Sequence, residues 1–279
     1  MIKNLVFSGA GIKIYSFLGF IKALYEYNLL ENVESFIGTS SGSLIATLCV
    51  LNFKYLEIEE ILLKINVSSL KNITSDNIIN FFDTYGIDDG KYINRLIKII
   101  LNNKVKNENI TFKELYTITK KRLIITATCV NTMKIVYFDY IGTPDVRVLD
   151  TIMMSICVPI LFKPIKLNNK YYVDGGLISH YPIDFFKDDI KHTLGMLVTT
   201  NINVDMPIDN IKDYLINIAN CSLCKIIEDC YTIYKQNTIL IEDDTNFLDF
   251  NIEYNSKVNL LETAYNKTKE YLDTEEFKY

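Results

Sequence analysis

The sequence predicts an α/β fold, a single three-layer domain with a mainly parallel central sheet flanked by helices. Three observations lead there. Apolar runs of about four to eight residues alternate with stretches whose apolar residues recur at helical spacing, the order that builds parallel strands with crossover helices. Two of these runs end in small-residue loops that open directly into a helical stretch, at residues 8–11 and 38–42. With 279 residues, 49% apolar and 23% charged, the chain has a globular composition. A chain of that length can bury roughly three quarters of its unfolded surface.

The elements follow in order. Ile2 to Phe7 is an apolar strand ended by Ser8-Gly9-Ala10-Gly11. Phe17, Phe20, Ile21, Leu24 and Tyr25 then fall at helical spacing, with a stop at Asn28. Val33 to Ile37 is a second strand and Ser43 to Val50 a very apolar helix. Residues 55–116 read as mostly helical, with turns at Gly86 and at Asp88-Asp89-Gly90. Leu123 to Val130 and Met133 to Tyr140 flank Asn131-Thr132, a hairpin or bulged turn. A helix from Leu149 to Val158 runs into Pro159, and a strand from Lys170 to Val173 ends at Asp174-Gly175-Gly176. Leu194 to Thr200 is the last clear strand; the remainder reads as helical and polar. There is no repeat and no Pro/Ser-rich linker. One domain over 1–279 is expected, with a core over about 1–200 and a helical part over about 205–279 packed on it.

Composition excludes several classes of function. The formal net charge is −5, from 29 basic and 34 acidic residues, which argues against nucleic acid as a partner. His180 and His192 are the only histidines, so histidine-rich metal sites are not expected, and neither metal nor cofactor is. Cys49, Cys129 and Cys157 lie in apolar runs and read as small buried hydrophobes. Cys221 and Cys224 form a C-x-x-C pair with Cys230 nearby, but no histidine follows to complete a zinc site, so incidental thiols are expected. MIKNLVFSGAG lacks the features of a signal peptide. Lys22 and Glu26 interrupt the best candidate for a membrane span, which needs about 18 apolar residues. A cytoplasmic protein is expected, with any membrane contact peripheral.

The chemistry concentrates in three short segments. Gly38-Thr39-Ser40-Ser41-Gly42 is a G-x-S-x-G between a strand and a helix, the context of a nucleophile elbow. Gly38 and Gly42 let the backbone turn sharply, so that Ser40 stands exposed above a helix N-terminus. Gly9-Ala10-Gly11-Ile12-Lys13 also joins a strand to a helix. Its small residues allow several N–H groups to face one point, a receptor for an anion or a developing oxyanion. A dinucleotide loop is the competing reading, with Glu31 or Glu34 as the ribose acid. However, Ile14 occupies the third glycine position, and the strand ending at Ile37 runs into the serine loop, which a dinucleotide fold does not predict. Asp174-Gly175-Gly176 alone reads as a turn.

Element order narrows the serine chemistry. Only 39 residues precede Ser40, and 87 follow the last histidine, whereas the ordinary α/β-hydrolase order places several strands before the serine and the histidine last. A Ser-His-Asp triad using His180 is cramped, because His180 lies six residues beyond Asp174. A serine activated directly by a carboxylate makes fewer demands.

At these residues the chain resembles the patatin-like phospholipases, lipid acyl hydrolases that use a Ser-Asp dyad. Their pattern, G-G-G-x-[KR]-G, then G-x-S-x-G, then D-G-[GA], corresponds here to GAGIKI from Gly9, GTSSG from Gly38 and DGG from Asp174. FLGFIKALYEYNLL, SICVPILFKPIKLNNKYYVDGGLISHYP and the tail DFNIEYNSKVNLLETAYNKTKEYL extend the likeness over nearly the whole chain. The resemblance implies Ser40 as nucleophile, Asp174 as its base, and an oxyanion hole from Gly9, Ala10 and Gly11. It implies a loop brace or anion contact for Lys13, and site-lining positions for Ser41 and His180. The implied function is hydrolysis of acyl esters of glycerophospholipids, of phospholipase A type, through an acyl-serine intermediate. The alternative is a lipid-binding or regulatory protein of the same fold without turnover. Two departures from the pattern bear on the site: Ile14 replaces the last glycine of the loop, narrowing or reshaping the site, and His180-Tyr181-Pro182 stands where N-x-P is usual. The implied partner is an acyl lipid. Phe81-Phe82 and Ile160-Leu161-Phe162 are candidate contacts with a membrane, against ordinary core packing as the alternative for each.

Overall fold

The computed structural model describes residues 1–65, 67–70, 75–200, 208–209, 211–245 and 251–274. Strand β1 (Asn4–Phe7) leads through a 3-10 turn (Gly11–Ile14) into α1 (Tyr15–Glu26), followed by β2 (Ser35–Gly38), α2 (Ser41–Val50) and α3 (Tyr55–Lys64). Two short helices, α4 (Ser75–Ile79) and α5 (Phe81–Thr84), precede β3 (Gly86–Asp88), α6 (Lys91–Val105) and α7 (Phe112–Thr119). The hairpin β4 (Arg122–Cys129) and β5 (Lys134–Phe138) is followed by α8 (Val148–Ser155), β6 (Ile160–Phe162), β7 (Ile165–Leu167) and β8 (Lys170–Asp174). The chain then forms β9 (Thr193–Thr199), α9 (Ile211–Tyr234), β10 (Thr238–Glu242) and α10 (Tyr254–Leu272).

One eight-stranded sheet runs in the order β10-β9-β1-β2-β4-β8-β7, with β5 also paired to β4. From β10 to β4 every pair is parallel; β5, β7 and β8 add antiparallel pairs. All four residues of β1 are buried, as a central strand covered on both faces requires. On one face Phe7 packs edge-on against Phe17 and Phe20 of α1, at 5.4 and 5.9 Å between ring centres. The expected mixed α/β architecture with a flanked central sheet is therefore the one observed.

Three pieces depart from the sequence reading. The tail is not wholly helical: Thr238–Glu242 forms β10, a parallel edge strand on β9. Its five residues carry too little pattern to stand out, and what holds them is pairing to a distant strand. The mostly helical stretch 55–116 contains β3, which pairs with β6 in a separate two-stranded sheet, Gly86 opposite Ile160 and Asp88 opposite Phe162. β6 and β7 are further short strands that the reading leaves out. The two apolar segments expected as membrane contacts divide. Phe82 and Ile160 are exposed, Phe81 and Leu161 half-buried, and Phe162 buried. All six cysteines are free thiols, with Cys49, Cys129 and Cys157 buried. Among the described residues no helix is long and apolar enough to cross a membrane.

Candidate active site

Parallel pairing sets Phe7 beside Gly38 on one side and Met196 on the other, so β1, β2 and β9 end at one edge. The loops leaving such an edge are where α/β folds build sites. Ser40 lies there at φ 53°, ψ −128°, a conformation that costs a residue with a side chain about 1–3 kcal/mol. The neighbouring backbone enforces it. A Cβ on Gly38 would stand 2.3 Å from the Gly42 carbonyl oxygen, and one on Gly42 would stand 2.3 Å from that of Ser8. Ser40's N–H donates to Ser155 Oγ at 2.9 Å, and Ser43 Oγ donates to the Ser40 carbonyl at 2.6 Å.

Asp174 ends β8 opposite Ala127 of β4, two strands from the serine elbow. Its N–H donates to the Cys157 carbonyl at 2.8 Å, and its Oδ1 accepts from the Gly176 N–H at 2.7 Å. Gly175 is fixed against β4, since a Cβ there would stand 2.4 Å from Thr126 Oγ1. The same hydroxyl meets Thr39 Oγ1 at 2.7 Å, and Thr39 Oγ1 donates to the Ser179 carbonyl at 3.1 Å. Elbow, β4 and the Asp-Gly-Gly segment are thus one hydrogen-bonded unit. Burial pushes the Asp174 carboxyl up to about 6, opposed by the Ser40 hydroxyl and the Gly176 N–H, which favour the charged form. Oδ2 is buried without a partner at full hydrogen-bond geometry. The Ser40 hydroxyl therefore acts on the Asp174 carboxyl without closing a full hydrogen bond to it.

The glycine loop is already partly engaged. Gly9's N–H donates to the His180 carbonyl at 2.8 Å, which turns it away from an oxyanion role. Ala10's N–H donates to Ser41 Oγ at 3.2 Å. Gly11 takes φ 52° at the first position of its 3-10 turn, where an N–H has no acceptor within the turn. Lys13 Nζ donates to the carbonyls of Thr199, at 3.2 Å, and Asp243, so it braces the ends of β9 and β10. Burial lowers its ammonium to about 8, opposed by Asp243 and Asp244. His180 Nε2 lies 3.1 Å from the Val198 carbonyl, and burial holds the ring below its ordinary pKa. The neutral ring packs on Gly9, where a Cβ would come within 3.0 Å of it.

Two cavities meet at Ser40. The first, 170 Å³, brings together Gly9, Ala10, Gly11, Lys13, Ser40, Asp174, Gly176 and His180, and is closed by Leu223, Cys224 and Ile227 of α9. The second, 130 Å³, shares Ser40, Gly11 and Val158 and runs between α2, α3, α6 and α8. Ser41 and Ile14 line the second cavity. Gly38, Gly42 and Gly175 line neither and act through the backbone. Sequence reasoning missed Ser155, Thr39 and Thr126, which hold the site together, and the α9 wall. A buried hydroxyl at the end of the apolar run LDTIMMS is the one signal Ser155 offered.

Comparisons with known proteins give the family and the fold. The family described as patatin-like phospholipase matches residues 5–187, and the chain belongs to that family. Uncharacterized protein R571 of Acanthamoeba polyphaga mimivirus is 27% identical, over 97% of this chain and 94% of that one. A probable lipid hydrolase, 463L of Invertebrate iridescent virus 6, is 34% identical over 65% of this chain and 62% of its own. In fold, the chain resembles VipD from Legionella pneumophila with a TM-score of 0.65 at 16% identity, covering 98% of this chain and 67% of that one.

Proposed function

We propose that this family member is a serine-dependent lipid acyl hydrolase of phospholipase A type, with Ser40 as nucleophile and Asp174 as its base. One observation carries the reading: a serine held in a strained elbow shares an apolar cavity with a buried carboxyl whose affinity for protons is raised. Ser40 Oγ attacks the ester carbonyl carbon while its proton passes to Asp174. The tetrahedral oxyanion is held by N–H groups of the loop, Gly11 first and Ala10 once Ser41 Oγ gives it up. The carbon–oxygen bond to the alcohol breaks, and the proton on Asp174 goes to the departing oxygen. Water then attacks the acyl-Ser40, giving its proton to Asp174, and Ser40 leaves as the restored hydroxyl.

His180 supports this two-residue reading over a triad, because its Nε2 faces the Val198 carbonyl and the neutral ring packs on Gly9. The protein works as one domain over 1–279 in the cytoplasm, meeting glycerophospholipid or other acyl-lipid surfaces peripherally through exposed apolar residues that include Phe82 and Ile160. A second reading, lipid binding without turnover, draws on the engagement of Ala10's N–H by Ser41 Oγ.

A fluorophosphonate probe separates the two. It should label the wild-type chain and fail on Ser40→Ala, while a panel of phospholipids, acylglycerols and small esters should show turnover lost in both Ser40→Ala and Asp174→Asn. Absence of labelling in the folded wild-type chain would leave the binding protein as the better description.

A further inference from the structure

Ser40 stands at the junction of two largely apolar cavities, of which only the first also carries Lys13, Asp174 and His180. The first holds Asp174, the main-chain loop and His180. The second contains no titratable side chain apart from Tyr15. Beyond Gly11, Ser40, Ser41 and Tyr15, every residue lining it is aliphatic or phenyl, with Ile14, Leu62, Ile93, Leu96, Ile152 and Phe162 among them. An ester bound at Ser40 has two arms to place, an acyl chain and an alcohol. The proton that Asp174 receives must reach the alcohol oxygen as it departs, so the alcohol has to lie on the Asp174 side. That leaves the second cavity for the hydrocarbon.

We propose that the cavity walled by Ile14 and Leu96 is the acyl-chain pocket, that the Asp174 cavity receives the departing alcohol, and that Ile14 helps set the chain length accepted. This rests on the acyl-hydrolase reading and assigns the two sides of its site. Ile14 stands where the family loop has its last glycine. Its backbone is ordinary right-handed helix, φ −48°, ψ −26°, so the substitution introduces no strain; Gly11 takes the left-handed turn instead. What isoleucine adds is side chain, and that side chain is buried at the inner end of the loop, on the cavity. A glycine there would leave the pocket deeper. Each methylene that the pocket buries should raise kcat/KM about fourfold until the chain meets the wall.

The test uses p-nitrophenyl esters from acetyl to hexadecanoyl, read as the ratio of kcat/KM for decanoyl over acetyl. Leu96→Trp and, as a milder filling variant, Ile93→Phe should each lower that ratio at least about tenfold. Ile14→Ala should move the optimum to longer chains. With the acyl group fixed as butanoyl and the alcohol enlarged, Leu223→Trp on the first cavity should lower the ratio of bulky to small alcohols. A second measurement does not depend on turnover. In Ser40→Ala protein, calorimetric affinity for decanoate should be weakened at least tenfold more by Leu96→Trp than by Leu223→Trp. The assignment is overturned if Leu223→Trp governs the acyl series, or if neither cavity does. Should the wild-type chain hydrolyse no ester, the catalytic reading falls, and decanoate binding still decides whether the pocket holds a hydrocarbon chain.

Discussion

At the scale of the residue, the proposed role of Asp174 as base sets activity against stability. A carboxyl raised to about 6 from an ordinary value near 4 binds its proton more tightly in the folded chain than in the unfolded one. Its stabilising protonated form is fully present below about pH 4 and is lost as pH rises through 6, so at pH 7 the ionised group detracts from stability. Asp174→Asn keeps an oxygen for the Gly176 N–H and removes the buried charge. It should abolish turnover while raising stability by roughly 1–3 kcal/mol, measured by urea unfolding at pH 7.5, with the gain shrinking as pH falls below 6. Wild-type kcat/KM on a small ester should drop along the acid limb centred near that same pH, because the base must be ionised to accept the serine proton. A limb centred near 4, or none, would detach Asp174 from the reaction. Ser40 bears a comparable cost in its own backbone, imposed by contacts at Gly38 and Gly42 that a single methyl group would close.

At the scale of the element, the site could be read from the sequence where its geometry is local. The elbow lies within five residues, and the strand before it and the apolar helix after it follow from apolar spacing alone. Asp174 needed the family pattern, since Asp-Gly-Gly by itself spells only a turn. What stayed hidden is contact between distant segments. Ser155 holds the Ser40 N–H across 115 residues, β10 becomes a strand only beside β9, and the α9 wall reaches the cavity from a stretch read as a plain helix. The sequence led to a helical tail packed on the core without naming the element it meets; α10 lies close against α1, where a Cβ on Gly19 would stand 2.1 Å from the Leu261 carbonyl oxygen. Gly19→Ala should therefore force the helices apart. Overpacking costs about 1–3 kcal/mol, against about 1 kcal/mol recovered from alanine's better helix propensity. A backbone oxygen at 2.1 Å puts the cost at the upper end of that range, and the net loss of about 2 kcal/mol should appear as a Tm lower by a few degrees, with fluorophosphonate labelling of Ser40 retained. An unchanged or higher Tm would mean that α10 is held more loosely than its contacts imply.

At the scale of the whole molecule, one group of exposed apolar residues lies around β3 and β6, beside both cavities. Ile79 and Phe82 are 75% and 86% exposed on α4 and α5. Tyr85 follows them and adjoins Gly86, which pairs with Ile160. Ile160 is 47% exposed and sits at φ 73°, a conformation unfavourable for a β-branched side chain. Its neighbours Val158 and Pro159 line the first cavity, and Val158 and Phe162 the second. On the proposed reading this strained, water-facing isoleucine, beside residues that line both cavities, serves as an anchor at a lipid surface. Glycine at this position should relax the backbone and stabilise the fold by about 1 kcal/mol. The Ile160→Gly, Phe82→Ser double variant should nevertheless lower the ratio of phosphatidylcholine-vesicle hydrolysis to soluble-ester hydrolysis by about tenfold, and weaken flotation with vesicles in parallel. Asp76 and Asp83 are exposed on the same short helices and the chain carries −5 overall. Attachment should accordingly come from burial of apolar surface and weaken little between low and moderate salt, whereas attachment through basic side chains would fall steeply over that range. A ratio unmoved by the double variant, or binding abolished by moderate salt, would place the lipid contact elsewhere on the molecule.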